Sequence, residues 1–119
     1  MEPGSKAKRM RIYISSTDKY EHTPLYEHII FAAKKHGING ATVIKGIMGY
    51  GASSEIYSEK LWEISEKVPL IVEIIDDPEK IDGFFEQIKP SFALSGKGHI
   101  VTMDETTILL HRAGIRKLF

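Results

Sequence analysis

The sequence predicts an α+β sandwich: a four-stranded antiparallel sheet, two helices on one face, and a long loop between the second and third strands. Three observations predict it. "MRIYIS" alternates with period two, and "VPLIVEIID" is apolar at nearly every position, so both are strands. Ile81, Phe84, Phe85 and Ile88 fall at i, i+3, i+4 and i+7, an amphipathic helix. Thr23-Pro24 and Asp77-Pro78 each join a capping side chain to a proline, whose missing N–H costs nothing at a helix start. The order is β-α-β-(long loop)-β-α-β. Two right-handed crossovers then place both helices on the same side, a ferredoxin-like arrangement.

Taken in order, residues 1–7 are polar, carry Pro3 and Gly4, and read as a flexible tail; 8–119 form one domain. In the first strand Met10, Ile12 and Ile14 face one way, Arg11 and Tyr13 the other. Leu25, Ile29 and Ala32 share a face of the first helix, which Gly37 stops. A second strand is expected from about Ala41 to Met48. The next stretch is too long for a tight hairpin, and Ser54 is placed to cap a short helix carrying Leu61, Trp62 and Ile64. "VPLIVEIID" is the central strand, with Pro69 near its start. Pro90 is expected to end the second helix, leaving "FALSGKG" as a loop. "HIVTMDE" is the fourth strand and "TTILLHR" a short fifth. The sheet face without helices needs a partner subunit if it is apolar, so an oligomer is expected.

Composition removes several functions. Lys plus Arg and Asp plus Glu are both 16, so the chain lacks the broad positive field of a nucleic-acid binder. With no cysteine there is no disulfide, thiolate metal site or thiol nucleophile. "MEPGSKAKRMRIYIS" is no signal peptide, and no run approaches a membrane span. A cytoplasmic protein is expected. The five histidines are scattered, with no HxH or HxxxH. Asp76-Asp77 is read as a helix cap rather than a metal or acid pair.

"GIMGYG", Gly46–Gly51, holds three glycines in six residues. It is neither the dinucleotide fingerprint nor a Walker loop. Its spacing leaves open a flexible loop or bulge and a cradle in which backbone N–H groups converge on a phosphate. "SGKG" is equally open: a tight turn with a solvated lysine, or a loop that swings Lys97 to an anion. Arg112 offers a bidentate fork or ends a fraying terminus. Tyr50 stacks on a base or covers its strand.

"ATVIKGIMGYG", "SEIYSEK", "EKVPLIVEIIDDPEKIDGFFEQI" and "SGKGHIVTMDETTILLHRAG" together resemble the PII-like signalling proteins, over roughly residues 8–114. The match is to the PII-like branch outside the nitrogen-regulatory members. The resemblance implies a homotrimer with inward-facing sheets, adenine nucleotide (ATP, ADP or AMP) bound between subunits as effector, and no required cofactor. It implies a regulatory role without catalysis, with the 49–67 loop contacting a target protein. By residue type it maps nucleotide contacts onto Lys45, Gly46, Gly49, Tyr50, Gly51, Lys67, Gly96, Lys97, Gly98 and Arg112. Leu110 stands where the family has a second arginine. The glutamine used for 2-oxoglutarate and magnesium has no clear counterpart, and Tyr57 is only near the family's modified tyrosine. Two other readings remain: a small enzyme on the same scaffold, and a CutA-like metal-tolerance trimer, against which the missing cysteines and unclustered histidines count.

Overall fold

Alternating side chains build the sheet of the computed structural model, which describes residues 1–50, 56–58, 67–95 and 97–115. Strand β1 is Lys6–Ser15 and begins inside the segment read as tail. Two residue pairs, β2 (Lys19–Tyr20) and β3 (Thr23–Pro24), form a small ribbon before helix α1, Leu25–His36. β4 is Ala41–Lys45, β5 Met48–Tyr50, β6 Ile56–Ser58 and β7 Pro69–Asp76. Helix α2, Pro78–Ser95, leads to β8, Ile100–Thr107. The four-stranded sheet runs β4-β7-β1-β8 with every neighbouring pair antiparallel. This is the predicted ferredoxin-like order.

Register separates two faces. Met10, Ile12 and Ile14 of β1 and Leu70, Val72 and Ile74 of β7 are buried with Leu25, Ile29, Ile81, Phe84 and Ile88 of the helices in one core. The opposite face carries three cross-strand rungs. Ile44, Ile71, Tyr13 and Ile100 make an apolar rung across all four strands. In the next, Arg11 Nε donates to Glu73 Oε2 at 2.8 Å. In the third, the Arg9 guanidinium bonds Asp104 and holds its carboxyl below the usual range. The helices leave this face uncovered: Tyr13, Ile44 and Ile100 are 38, 42 and 46% exposed.

Several expectations need correction. Thr23 does not cap α1. It is tied into the β2–β3 ribbon, and the Leu25 N–H donates instead to the Asp18 carbonyl at 2.8 Å. The Ala41–Met48 strand divides into β4 and β5: the pairing with β7 ends after Lys45–Leu70, because Pro69 accepts the Gly46 N–H but has no N–H to return. Pro90 does not end α2, which continues to Ser95. A proline there forfeits the bond to the carbonyl four residues back. Continuation places Ser91 in the buried interior, with its Oγ 3.0 Å from His28 Nε2. Thr106 and Thr107 belong to β8, and residues 108–115 form no fifth strand. Residues 56–58, where the helix expected after Ser54 would begin, are instead strand β6 paired with β5; Leu61, Trp62 and Ile64 lie outside the described residues.

Other expectations hold for local reasons. Gly37 stops α1 with φ 90°, a left-handed conformation that L side chains rarely adopt, and its N–H returns to Lys34 O. Lys34, Lys35 and His36 sit in the last turn, where cations suit the helix dipole.

Candidate functional site

The site begins where β4 ends. The Gly46 N–H donates to the Pro69 carbonyl at 2.7 Å, so the chain crosses tightly over the start of β7. A Cβ at Gly46 would lie 2.7 Å from Pro69 Cγ and 3.2 Å from Pro69 O. Glycine is therefore required at 46 by close approach to another strand. That N–H is already bonded and is not aimed at a ligand. Gly49 is roomier; a Cβ there would meet Pro69 Cγ at 3.6 Å. β5 then pairs antiparallel with β6, Met48 opposite Ser58 and Tyr50 opposite Ile56. The glycine-rich stretch is thus the first arm of a two-stranded ribbon.

A cavity of about 250 Å³ lies between this ribbon and the sheet. β7 contributes Pro69, Leu70 and Ile71, and β1 contributes Tyr13 and Ile14. Gly46, Met48, Gly49 and Tyr50 come from the ribbon side, Gly98 and Ile100 from the opposite loop and β8. Its wall is mostly apolar and aromatic, with main chain exposed at the glycines. Such a wall suits a flat heteroaromatic group and gives a polyanion little.

Four of the residues expected from sequence, Gly46, Gly49, Tyr50 and Gly98, are brought together at this cavity. Lys45, Lys67, Lys97 and Arg112 are not part of its wall. Lys97 is exposed beside Gly98, its N–H donating to Ser95 Oγ at 3.2 Å. Arg112 follows His111, which lines a second cavity with Glu73 and Ile75. Ile75 is four residues along β7 from Ile71, roughly 13 Å at strand rise. Gly51 and Gly96 lie outside the described residues. Sequence reasoning missed Tyr13, Ile71 and Ile100. Their signal was present: they are the opposite-parity positions of strands that carry apolar residues on both faces.

Gly46→Ala tests the close approach. The new Cβ forces β5 or Pro69 to shift, an expected loss of about 1–3 kcal/mol. A second change, Pro69→Ala, removes the opposing Cγ and is expected to return part of that loss. Urea midpoints of the two single variants and the double variant measure it; unchanged midpoints in Gly46→Ala contradict it.

Next to the Gly98 wall lies a polar cluster that no sequence pattern announced. Two serines one turn apart on α2 each meet an imidazole. Ser91 Oγ is 3.0 Å from His28 Nε2, and His28 stacks on Tyr20 with centroids 4.1 Å apart. Ser95 Oγ is 2.7 Å from His99 Nε2, and His99 Nδ1 is 3.6 Å from Asp18 Oδ2. Burial pushes both histidines below their ordinary pKa, against the opposing charges of Glu21 for His28 and Asp18 for His99. Asp18, His99 and Ser95 stand in acid–base–nucleophile order. Ser95 Oγ, however, donates to Phe92 O at 2.9 Å and accepts from the Lys97 N–H. Its hydroxyl is held as a helix-end brace rather than presented to a substrate. Among the described residues no group of three His, Asp or Glu side chains is placed to hold a metal, and no helix is long and apolar enough to cross a membrane.

Residues 7–108 match the model of the DUF190 family, described as "Uncharacterized ACR, COG1993". The chain belongs to this family. This DUF190 chain is 37% identical over 105 residues to a UPF0166 protein of Aquifex aeolicus, covering 87% of the chain and 94% of that relative. It is 40% identical over 77 residues to a UPF0166 protein of Methanocaldococcus jannaschii, covering 65% and 70%. Its fold is similar to that of CPII, a nitrogen regulatory PII-like protein from Thiomonas intermedia K12, solved bound to ADP, AMP and bicarbonate. The TM-score is 0.66 at 15% identity, covering 89% of this chain and 91% of that one. The DUF190 chain therefore has the PII-like form of the ferredoxin-like fold.

Proposed function

We propose that the protein is a PII-like regulatory protein, not an enzyme, that binds an adenine nucleotide between the subunits of a homotrimer. Binding biases the 49–67 loop, which engages a target protein. The observation that carries this reading is the cavity itself. It joins the glycine-rich start of the long loop to Gly98 of the lysine-bearing loop, beside the uncovered apolar rung.

The chemistry divides between two surfaces. The apolar wall with Tyr13 and Tyr50 suits an adenine ring. Phosphates need cations, and among the described residues the wall has none. A neighbouring copy laid against the apolar rung supplies that charge through Lys97 and Arg112 at the shared edge. Nucleotide binding then requires assembly, and the ribbon holding Met48–Tyr50 is both wall and root of the long loop. A ligand with different affinity for two loop conformations shifts their populations without any covalent step.

Calorimetric titration of the full chain with AMP, ADP and ATP tests this, with light scattering for the assembly. The expected result is a trimer that binds an adenine nucleotide. Lys97→Ala loses one charged hydrogen bond and is expected to weaken binding roughly tenfold or more. A trimer that binds none of the three nucleotides overturns the reading. Stabilisation by divalent metal alone would instead favour the CutA-like alternative, and turnover of nucleotide the enzyme.

A further inference from the structure

The Asp18–His99–Ser95 chain sits one residue from the Gly98 wall, and one serine proton serves two acceptors in it. Ser95 has one hydroxyl proton and two acceptors within reach, Phe92 O at 2.9 Å and His99 Nε2 at 2.7 Å. With that proton on Phe92 O, the His99 contact is an Nε2–H donating to Ser95 Oγ, the tautomer that the unpartnered Nδ1 favours. In the neutral ring that leaves Nδ1 as a bare acceptor. It faces Asp18 Oδ2, another acceptor, whose own partner is the Ser15 N–H at 2.8 Å. Two acceptors repel, and they stand 3.6 Å apart with both side chains nearly buried, 5 and 6% exposed. Nδ1 is also the buried side-chain atom left without a hydrogen-bond partner among the described residues.

A proton on Nδ1 changes the sign of that contact. The imidazolium donates to Asp18 from one edge and to Ser95 from the other, and every group in the chain is satisfied. Burial opposes the charge and keeps the ring neutral near pH 7. Asp18, from the turn after β1, is the charged group facing the ring; the groups from α2, Ser95 and the tilted Phe92 ring at 5.3 Å, do not ionise in this range.

We propose that His99 is a positioning residue for the Gly98 side of the cavity, closing onto Asp18 when it takes up a proton and so making ligand binding there depend on pH. Closure draws the Lys97–Gly98 segment toward the β1–β2 turn and adds positive charge beside the cavity. Both favour an anionic ligand. For nucleotide the inference rests on the function proposed above; the movement of Gly98 does not.

The test uses the full chain between pH 8 and pH 5.5, with ADP as probe. Wild-type affinity is expected to rise about fivefold toward acid relative to His99→Gln and Asp18→Asn, which share the titration of ADP itself. In the ligand-free protein, imidazole nitrogen shifts at pH 7.5 should report the Nε2–H form, and the Gly98 amide shift should follow the His99 titration. The same pH profile in His99→Gln overturns the proposal, as does a Gly98 amide indifferent to His99. If ADP fails to bind at any pH, the nucleotide reading falls, and the ligand-free titration still decides the role of His99.

Discussion

In the proposed homotrimer, replacing Ile71 by glutamate is expected to give 13.4 kDa monomers and to abolish the proposed adenine-nucleotide binding. Ile71 is central in the apolar rung, with Tyr13 on one side and Ile44 on the other. In a three-fold assembly one substitution brings three carboxylates into one apolar contact. Each pays desolvation without a partner, and all three repel. The helix-side core is untouched, because Leu70 and Val72 point the other way. The monomer should keep its circular dichroism. Ile71 also lines the cavity, so Ile44→Glu is the companion variant: it lies in the same rung but outside the cavity wall. Loss of binding in both, together with a threefold fall in mass by light scattering, ties the site to assembly. A trimeric Ile71→Glu protein would overturn the use of this face as the interface.

Asp76→Ala should cost about 3 kcal/mol of stability, read as a lower urea midpoint. The Asp76 carboxylate is fully buried at the joint between β7 and α2. It accepts the Asn39 N–H at 2.8 Å, the Asn39 side-chain amide at 3.2 Å and the Asp77 N–H at 2.7 Å. Lys80 Nζ stands 3.5 Å away and also caps α1 through Gly37 O at 2.7 Å. Alanine leaves two backbone donors without a partner where water has little access, at about 1–3 kcal/mol each before relaxation. The same network sets a pH dependence. Burial pushes the Asp76 pKa up, but the Asn39 and Asp77 N–H groups and Lys80 outweigh it, so the folded value is lowered. Its contribution is therefore full above the unfolded value of about 3.9 and is lost as pH falls through the lowered folded one. Asp76→Asn should flatten that acid limb. A wild-type midpoint in Asp76→Ala would show that the joint carries no stability.

The same joint shows how legibility divides. The sequence pointed to the pair Asp76-Asp77 and read it as a cap. Asp77 O does accept the Ile81 N–H that starts α2, at 3.1 Å. The buried carboxylate is Asp76, because even-numbered residues of β7 face the core, and pairing with the distant Asn39 cannot be read from local pattern. The candidate site divides in the same way. Of the residues lining the cavity, Gly46, Gly49, Tyr50 and Gly98 are singled out in the sequence through the two glycine-bearing loops and the family resemblance. Tyr13, Ile71 and Ile100 were missed because an apolar strand residue looks alike whether it faces a core, a cavity or a partner.

What the chain determined by itself was everything set by neighbours within a few positions. The alternation of β1, the 3.6-residue period of α2 and the left-handed stop at Gly37 each follow from local backbone sterics and side-chain spacing. Only the tertiary structure decided that α2 continues through Pro90, since Ser91 is held by a histidine 63 residues away. It alone split the Ala41–Met48 segment, where a carbonyl of Pro69 reaches Gly46. It alone set His99 against Asp18 inside the fold. Those outcomes depend on contacts between residues far apart in the chain, whose energies exist only once the sheet has brought them together.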